Sequence, residues 1–307
     1  MNLINNIKRA ILNPRDLGHA ILTRLAPFWY DDKSYLRLKY YFIMGRRLKL
    51  RNPITFNEKL QWLKLYNRKI EYSDFVDKYK VKQIVSKLIG EKYVIKTLGV
   101  WDTPEDIDFI SLPNQFVLKT THDGGSLGVV ICKNKQDFDI ENAKKRLYKS
   151  LKHSAYTYSR EWPYKNVKRR IIAEEYIEDS IDKDLHDYKV LCFNGEPKLI
   201  EFHSGRHTNY QHQEFYDTDW NLTNISQGGP YLSNDSTYPK PNCLEELLNL
   251  SRILSKEFIH IRIDWYIINK TEIKFGEMTF FDGSGFDAFV DIHQDELLGS
   301  WINLNQK

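Results

Sequence analysis

The order of hydrophobic and polar residues divides the chain into a helical first part and a remainder that mixes helices with strands. Leucine and aromatic residues recur at helical spacing through SYLRLKYYFIMGRRL and FNEKLQWLKLYN, within residues 1 to about 75. Thr55 and Glu58, three residues apart, predict a capping box at the start of the second of these helices. A helix with a polar face is expected next, over about residues 73–89.

From Gln115 onward the pattern changes to short apolar runs that predict strands. QFVLKT, VVICK and RIIAEEYI are typical of strands, with a helix over residues 141–153 between the last two. DYKVLCF and PKLIEF flank Asn194-Gly195, which predicts a hairpin. Asn242 with Glu245 predicts a helix start, and this helix leads into a second hairpin made of IHIRIDWYII and EIKFGEMTF. The whole pattern indicates the α+β class.

The second hairpin carries the first chemical signal. If residues 269–272 form a four-residue turn, Ile268 pairs with Ile273, and Asp264 then lies directly opposite Glu277. Opposed carboxylates destabilise a sheet unless a positive charge lies between them, and a hard divalent cation with oxygen ligands would supply it. The alternative is a solvent-exposed face in a different register.

A glycine-rich loop carries the second signal. Lys119 ends a predicted strand and is followed by TTHDGGSLG, which leads into another strand. Backbone N–H groups of such a loop can surround phosphate oxygens, and a lysine supplies the charge that phosphate needs. The loop is not a Walker A motif, because GxxxxGK[ST] is absent and a strand follows where a helix should. A hairpin turn without a ligand is the alternative.

Composition limits the classes of protein to consider. The 307 residues are 41% hydrophobic and 28% charged, a globular composition that suggests about two domains. No run of about 18 apolar residues and no signal-peptide pattern is present, so we expect a cytoplasmic protein. The three cysteines, Cys132, Cys192 and Cys243, are widely spaced and are expected to be buried thiols rather than ligands of a metal.

The positive charge is concentrated at the beginning of the chain. Residues 1–51 contain 11 Lys/Arg and 3 Asp/Glu, a net charge of +8, whereas the rest of the chain has a net charge of −4. A helix packed on the body of the protein with a solvated basic face is the simpler interpretation, and contact with an anionic membrane surface is the alternative. Nucleic acid is not an expected partner, since no basic stripe continues through the body.

The ordered combination of motifs resembles the TupA-like family of the ATP-grasp superfamily, which is found in gene clusters for surface polysaccharides. The resemblance rests on ITFNEKLQWLKLYNR, FVLKTTHDGG, DYKVLCFNGEPKLIEF, FYDTDWN and IRIDWYI…FGEMTFFDGSG, and covers about residues 53–290. It implies an ATP-grasp fold in which two α+β subdomains clasp ATP after a helical segment. We therefore expect a basic helical segment over residues 1–75, a subdomain with the glycine-rich loop over 76–177, and a subdomain with the metal site over 178–307.

The resemblance also implies which residues bind ATP and Mg²⁺. The residues it assigns to the nucleotide are Lys78 or Lys82 as the first lysine, Lys119 as the second, His122, Gly124, Gly125 and Ser126 in the loop over the phosphates, Glu174, Glu175, Tyr176 and Ile177 as the hinge at adenine, and Asp187 with Lys189. The magnesium ligands would be Asp264, Glu277 and Thr279, where Thr279 replaces the asparagine usual in the superfamily.

The implied reaction is the ADP-forming ligation of a carboxylate to an amine through an acyl phosphate. In this family the carboxylate is expected to be a uronic acid of a capsular or teichuronic-type polymer, and the amine an amino acid, another amine or a peptide. Lys119 and Arg262 would stabilise the transferred phosphoryl group. Arg206 would hold the carboxylate or acyl phosphate, unless it is a surface-loop arginine. Ser284 and Gly285 could line the acceptor site.

Two other functions are consistent with parts of the sequence. Asp217 and Asp219 form a D-x-D triplet, which in a glycosyltransferase would hold a metal against a nucleotide-sugar. A turn closed by side-chain hydrogen bonds explains that triplet equally well. The second alternative is an ATP-grasp scaffold that binds a nucleotide without turnover. The sequence names neither the substrates nor the oligomeric state.

Overall fold

The first part of the chain is helical in a computed structural model, which describes residues 14–182, 184–205, 211–228 and 238–305. The capping box at Thr55 and Glu58 is present, so this prediction is confirmed. Residues 1–13, the beginning of the predicted basic helical segment, lie outside the described residues. The first three helices are α1 (Pro14–Leu25), α2 (Asp32–Met44) and α3 (Phe56–Tyr66).

The single helix predicted over residues 73–89 is two helices, α4 (Tyr72–Val76) and α5 (Lys80–Ile89). The break has a local cause, because the Asp77 carboxylate accepts hydrogen bonds from the N–H groups of Tyr79 and Lys80 at 2.9 and 3.2 Å and so starts the second helix. The break also frees the N–H of Lys78, which donates to the carbonyl of Thr121 at 3.0 Å. Lys78 is thereby fixed beside the glycine-rich loop.

A four-stranded antiparallel sheet carries this loop. Its strands, in the order β1-β4-β2-β3, are β1 (Thr97–Trp101), β2 (Phe116–Thr120), β3 (Val130–Cys132) and β4 (Ile171–Glu175). β1 was not expected from the sequence. Helix α6 (Ile140–Lys152) packs on β2 and β3, and the short helix α7 (Ala155–Ser159) follows it. The predicted helix at 141–153 and the three predicted strands are confirmed.

A five-stranded antiparallel sheet forms the opposite side, in the order β7-β6-β5-β8-β9. Its strands are β5 (Asp187–Phe193), β6 (Glu196–Ser204), β7 (His212–Tyr216), β8 (His260–Ile268) and β9 (Glu272–Thr279). The hairpin at Asn194-Gly195 is confirmed, and both residues have the positive φ that this turn needs, 51° and 83°.

Helix α8 (Leu244–Ser255) packs on β5, β6 and β8, and α9 (Ile292–Ser300) packs on α3. The predicted start of α8 at Asn242 is wrong. Cys243 is the N-cap residue and makes no side-chain capping bond, so the helix is fixed by burial of its leucines.

The largest hydrophobic cluster joins the five-stranded sheet to α3, α4, α5 and α8. A second cluster lies between the smaller sheet and α6, and a third joins α1 and α2 to Phe286. The two antiparallel sheets with packed helices form the α+β architecture that the pattern predicts. The three-part division of the chain stays a prediction. Within the described ranges, no helix combines the length and apolar character needed to cross a bilayer.

Candidate functional site

Polar residues form a row across the five-stranded sheet, on the face toward the smaller sheet. Lys189 on β5 pairs with Glu201 on β6 and with Asp264 on β8, and Asp264 pairs with Glu277 on β9. Directly paired residues of an antiparallel sheet point to the same face. The predicted opposition of Asp264 and Glu277 is therefore confirmed.

The register near the turn differs from the prediction. Ile268 pairs with Glu272 instead of Ile273, because the turn contains three residues rather than four. A β-bulge between Asp264 and Trp265 then shifts the pairing by one residue. The shorter turn and the bulge compensate for each other, so the two carboxylates still face one another.

The positive charge between these carboxylates is Arg262. Its guanidinium donates to both oxygens of Asp264, from Nε at 2.6 Å and from Nη2 at 2.8 Å, and also contacts Asp282. Nη2 lies 3.5 Å from Oε1 of Glu277 and 3.3 Å from Oγ1 of Thr279. The face is thus a buried charge network and not the solvent-exposed surface that the alternative interpretation required.

Glu277 is the carboxylate most open to the space between the sheets, with 32% of its side chain exposed. Burial opposes its ionisation, but Lys78, Arg262 and Lys119 outweigh burial and lower its pKa to about 2. For Asp264, burial has the largest influence, and with the charge of Glu277 it raises the pKa to about 6 against the effect of Arg262. Both groups are carboxylates at neutral pH.

The donor set fits magnesium that arrives with a nucleotide. Among the described residues no group of three or more His, Cys, Asp and Glu side chains could hold a metal by itself. Mg²⁺ is usually bound by one or two carboxylates together with waters and substrate phosphates, which matches the open Glu277. Each oxygen of Asp264 accepts one hydrogen bond from Arg262 and keeps a lone pair for a second contact. The hydroxyl of Thr279 lies 3.4 Å from Glu277 and can orient that carboxylate.

Two of the predicted nucleotide lysines converge on one carboxylate. Lys82 and Lys119 each place Nζ 2.6 Å from an oxygen of Glu174, which is 5% exposed. Burial opposes ionisation of Glu174, but the two lysines outweigh it and lower its pKa to about 2. Burial lowers the pKa of Lys82, whereas for Lys119 the charges of Glu174 and Tyr266 outweigh burial and raise it. The three side chains form a group with an excess positive charge.

The remaining lysine candidate, Lys78, contacts a different part of the site. Its Nζ donates to the carbonyl of Asp123 at 2.7 Å and lies 3.4 Å from Glu277. Lys78 therefore joins the glycine-rich loop to the carboxylates of β8 and β9. Lys82 is more enclosed and also donates to the carbonyl of Ile95 at 2.6 Å. Which of the two contacts a nucleotide stays a prediction.

The glycine-rich loop presents its backbone to the site. Gly124, Gly125 and Ser126 are exposed, and Gly125 has a φ of 75°, which favours glycine. Arg146 holds the loop by donating to the carbonyl of Ser126 at 2.7 Å. His122 is buried, with 3% of the residue exposed, and its Nε2 lies 3.1 Å from the carbonyl of Ser150; its contact with a nucleotide stays a prediction.

The predicted hinge lies where β4 ends. Glu175 is the last residue of the strand, is exposed, and donates its N–H to the carbonyl of Lys96 at 3.0 Å. Tyr176 and Ile177 follow the strand and are half-buried. The backbone of Tyr176 and Ile177 could therefore contact an adenine ring, as the hinge hypothesis requires. The carboxylate of Glu174, in contrast, is already bound by Lys82 and Lys119.

Asp187 and Lys189 begin β5. Asp187 is 2% exposed and pairs with Tyr266 of β8. Lys189 is engaged by neighbours on β6, with Nζ 3.0 Å from Nε2 of His203 and 3.4 Å from Oε1 of Glu201. Both side chains share the polar face, as predicted. Arg206 lies outside the described residues.

A cavity of about 300 Å³ opens beside Arg262 and Glu277. One wall is the backbone of Gly124 and Gly125, and another includes Ser284, one of the predicted acceptor-site residues. The other predicted acceptor residue, Gly285, is buried, and its carbonyl accepts from Gln61 at 2.7 Å. The lining also contains residues that no motif indicated: His153, Ala155, Tyr158, Ser159, Glu161 and Tyr164.

A buried lysine supports the cavity wall from behind. Lys64 of α3 donates to the carbonyl of Ser159 at 2.9 Å and to the carbonyl and hydroxyl of Ser284 at 2.7 and 3.1 Å. The Ser284 hydroxyl in turn donates to Glu161 at 2.7 Å. Burial lowers the pKa of Lys64 to about 7, although Glu161 opposes this. In the sequence, the only sign of this role is that Lys64 lies between the leucines of an amphipathic helix.

The D-x-D triplet is explained by a turn. Oδ1 of Asp217 accepts from the N–H groups of Asp219 and Asn221 at 2.9 and 2.8 Å, and Oδ2 accepts from the Asn221 side chain at 2.9 Å. Hydrogen bonding of this kind lowers the pKa of Asp217, against the effect of burial. Both oxygens of Asp217 are thus used within the turn.

Comparisons with known proteins point to one family. A family model described as TupA-like ATPgrasp matches residues 58–303. No curated protein matches the chain. Among solved structures, D-alanine-D-alanine ligase from Helicobacter pylori is 17% identical with a TM-score of 0.47, over 81% of this chain and 69% of the other. L-amino acid ligase from Bacillus licheniformis is 12% identical with a TM-score of 0.45, over 84% of this chain and 57% of its own length.

Proposed function

The chain belongs to the TupA-like ATP-grasp family, and from this membership and the charged cleft between its sheets we propose that it is an ATP-dependent carboxylate–amine ligase. The observation that carries the proposal is the position of Arg262 between Asp264 and Glu277, next to a cavity lined in part by the glycine-rich loop. A cation, two carboxylates and loop N–H groups are the parts that phosphoryl transfer to a carboxylate needs.

Each of these residues has a distinct task in the proposed reaction. Lys119 and Lys78 both bring positive charge close to Glu277 and would orient a triphosphate. The N–H groups of Gly124 and Gly125 would surround its terminal phosphate. Arg262 would stabilise the charge that grows on the transferred group. When bound by Asp264 and Glu277, Mg²⁺ would neutralise phosphate charge, and Thr279 would orient Glu277.

We propose that the carboxylate is a uronic acid of a surface polysaccharide precursor and the amine an amino acid, another amine or a peptide. Family membership supports this substrate class. The cavity beside Arg262 supports it chemically, because its lining is polar and includes the side chains of Tyr158 and Tyr164, whose hydroxyl groups suit a polyhydroxylated ligand.

The test is a screen of carboxylates with ATP and Mg²⁺. We expect D-glucuronate or D-galacturonate to stimulate ADP release, and added hydroxylamine to trap the acyl phosphate as a hydroxamate. UDP-sugars serve as the comparison, with manganese as the metal. Consumption of a UDP-sugar that depends on Asp217, without carboxylate-dependent ADP release, would contradict the proposal. Nucleotide binding without any turnover would identify a non-catalytic scaffold.

We further propose that the first helices contact an anionic membrane surface. Leu17, Ile21, Leu25 and Phe28 lie along one side of α1 and its extension, and they are 45–72% exposed. Their spacing of four, four and three residues is that of a helical stripe. Exposed cations are frequent in this part of the chain, and these are Arg15 and Arg24 on α1 and Arg37, Arg47 and Lys49 after it. An exposed apolar stripe on a helix that also carries exposed arginines fits the surface of an anionic bilayer.

Vesicle sedimentation tests this surface. We expect the full chain to bind phosphatidylglycerol vesicles more tightly than phosphatidylcholine vesicles, and the Leu25→Ser/Phe28→Ser double variant to lose most of that binding. Ile110→Ser, at an isoleucine that is 91% exposed elsewhere, is the matched control. Equal binding to both lipids, or equal binding by both variants, would contradict the proposal.

A further inference from the structure

A histidine and an aspartate form a hydrogen-bonded pair at the cavity that Arg262 also lines. Nδ1 of His153 lies 3.1 Å from Oδ1 of Asp123, and both residues line the cavity. Asp123 is 4% exposed, and its other carboxylate oxygen accepts from the hydroxyl of Ser150 at 3.1 Å. The carboxylate is therefore fixed from two sides.

The tautomer of His153 follows from this contact. A carboxylate only accepts hydrogen bonds, so Nδ1 must carry the proton that it donates to Asp123. In the neutral ring Nε2 then holds the free electron pair. None of the described residues forms a hydrogen bond with Nε2, and 34% of the His153 side chain is exposed. The basic nitrogen is free to meet a ligand in the cavity.

The orientation of the ring is also fixed. The imidazole of His153 stacks on the ring of Tyr158, with centroids 5.3 Å apart and planes 10° from parallel. The carbonyl of Tyr158 accepts from the hydroxyl of Tyr35 at 3.0 Å and from Nζ of Lys39 at 2.7 Å. Helix α2 therefore fixes the position of Tyr158, and Tyr158 in turn fixes the plane of the His153 imidazole. A carboxylate that fixes the tautomer and a support that fixes the plane are what a general base requires.

We propose that His153 is the general base for the attacking amine and that Asp123 is its positioning residue. This inference rests on the proposed ligase function. The amine binds as an ammonium ion, and Nε2 of His153 takes one of its protons. The electron pair exposed on nitrogen then forms the C–N bond with the acyl phosphate carbon. The C–O bond to phosphate breaks, and phosphate leaves with the electron pair of that bond and takes the second proton that the nitrogen must lose to become an amide. The proton on His153 passes to water.

A matched pair of variants separates this step from the first half-reaction. Hydroxylamine reacts as a neutral nucleophile and needs no base, so it reports acyl phosphate formation from D-glucuronate. We expect His153→Gln to lower the ratio of amide to hydroxamate by about 100-fold or more, a range typical of general-base catalysis. His293→Gln is the control, since His293 makes the same 3.1 Å contact, with Glu296, on the surface. An unchanged ratio in His153→Gln would overturn the inference.

A second measurement does not depend on the substrates. Long-range ¹H–¹⁵N spectra of the full chain report which imidazole nitrogen carries the proton, provided that they are recorded at a pH where the imidazole is neutral. The signals of His153 are identified as those that disappear in the His153→Gln variant. We expect a protonated Nδ1 and a bare Nε2, and loss of this preference in Asp123→Asn. A proton on Nε2 in the unmodified chain would overturn the base role. If the wild-type protein forms neither hydroxamate nor amide, the ligase proposal fails. The spectra still test the inferred contact between His153 and Asp123, because the tautomer is measured without substrates.

Discussion

Glu277→Gln should remove most of the carboxylate-dependent release of ADP, by on the order of 1,000-fold, while leaving the fold intact. Glu277 is the open carboxylate of the cleft, held between Lys78 and Arg262 at 3.4 and 3.5 Å. The amide keeps the size of the side chain but loses the negative charge that would bind magnesium and balance the two cations.

The control for this variant lies on the same strand. Glu272→Gln changes a carboxylate at the other end of β9, where its partner is Lys274 at 2.8 Å and its side chain is 53% exposed. We expect Glu272→Gln to keep wild-type turnover. Circular dichroism and urea unfolding of both variants check the fold. A folded Glu277→Gln protein with wild-type turnover would contradict the assignment of the metal site.

Glu174→Gln should lower the free energy of unfolding by about 3–5 kcal/mol, the usual cost of removing one partner from a buried ion pair. The amide would leave Lys82 and Lys119 without the carboxylate that lies 2.6 Å from each. Urea unfolding at neutral pH measures the change. Glu175→Gln is the matched control, because Glu175 is the next residue on β4 and is exposed.

The same variant predicts a pH dependence. The folded pKa of Glu174, about 2, lies below its usual value of 4.5, so the stability it provides is present above about pH 4.5. That stability is lost as the pH falls from about 4.5 toward about 2. We therefore expect the difference in unfolding free energy between wild type and Glu174→Gln to shrink over this interval. A difference that is absent at neutral pH, or that grows in acid, would contradict the ion-pair account.

Most of the sheet scaffold could be predicted from the sequence, because its signals are local. Asn194-Gly195 defines one hairpin by the positive φ that its turn requires. The predicted pairing of Asp264 with Glu277 is correct, but the four-residue turn from which it was deduced is not. A three-residue turn and a β-bulge together give the same register at these two carboxylates. Strand periodicity predicts which face a residue occupies, but a bulge leaves no comparable pattern in the sequence.

The partners of the site residues could not be predicted, because they come from distant parts of the chain. The sequence indicated a positive charge between Asp264 and Glu277, and a residue already assigned to catalysis, Arg262, provides it. The glycine-rich loop was identified by its glycines, yet His122 within it turns inward to a helix carbonyl. A lone histidine such as His153 has no local signature, since its function depends on a partner 30 residues away.

The direct test of the central claim is the fate of carboxylate oxygen. D-Glucuronate labelled with ¹⁸O in its carboxylate is incubated with the enzyme, ATP, Mg²⁺ and a mixture of amino acids, and the released phosphate is analysed by mass spectrometry. Ligation through an acyl phosphate predicts that each phosphate carries one labelled oxygen, in proportion to the amide formed. Amide formation that leaves the phosphate unlabelled would contradict the mechanism, and ADP release without amide or label would contradict the ligase function itself.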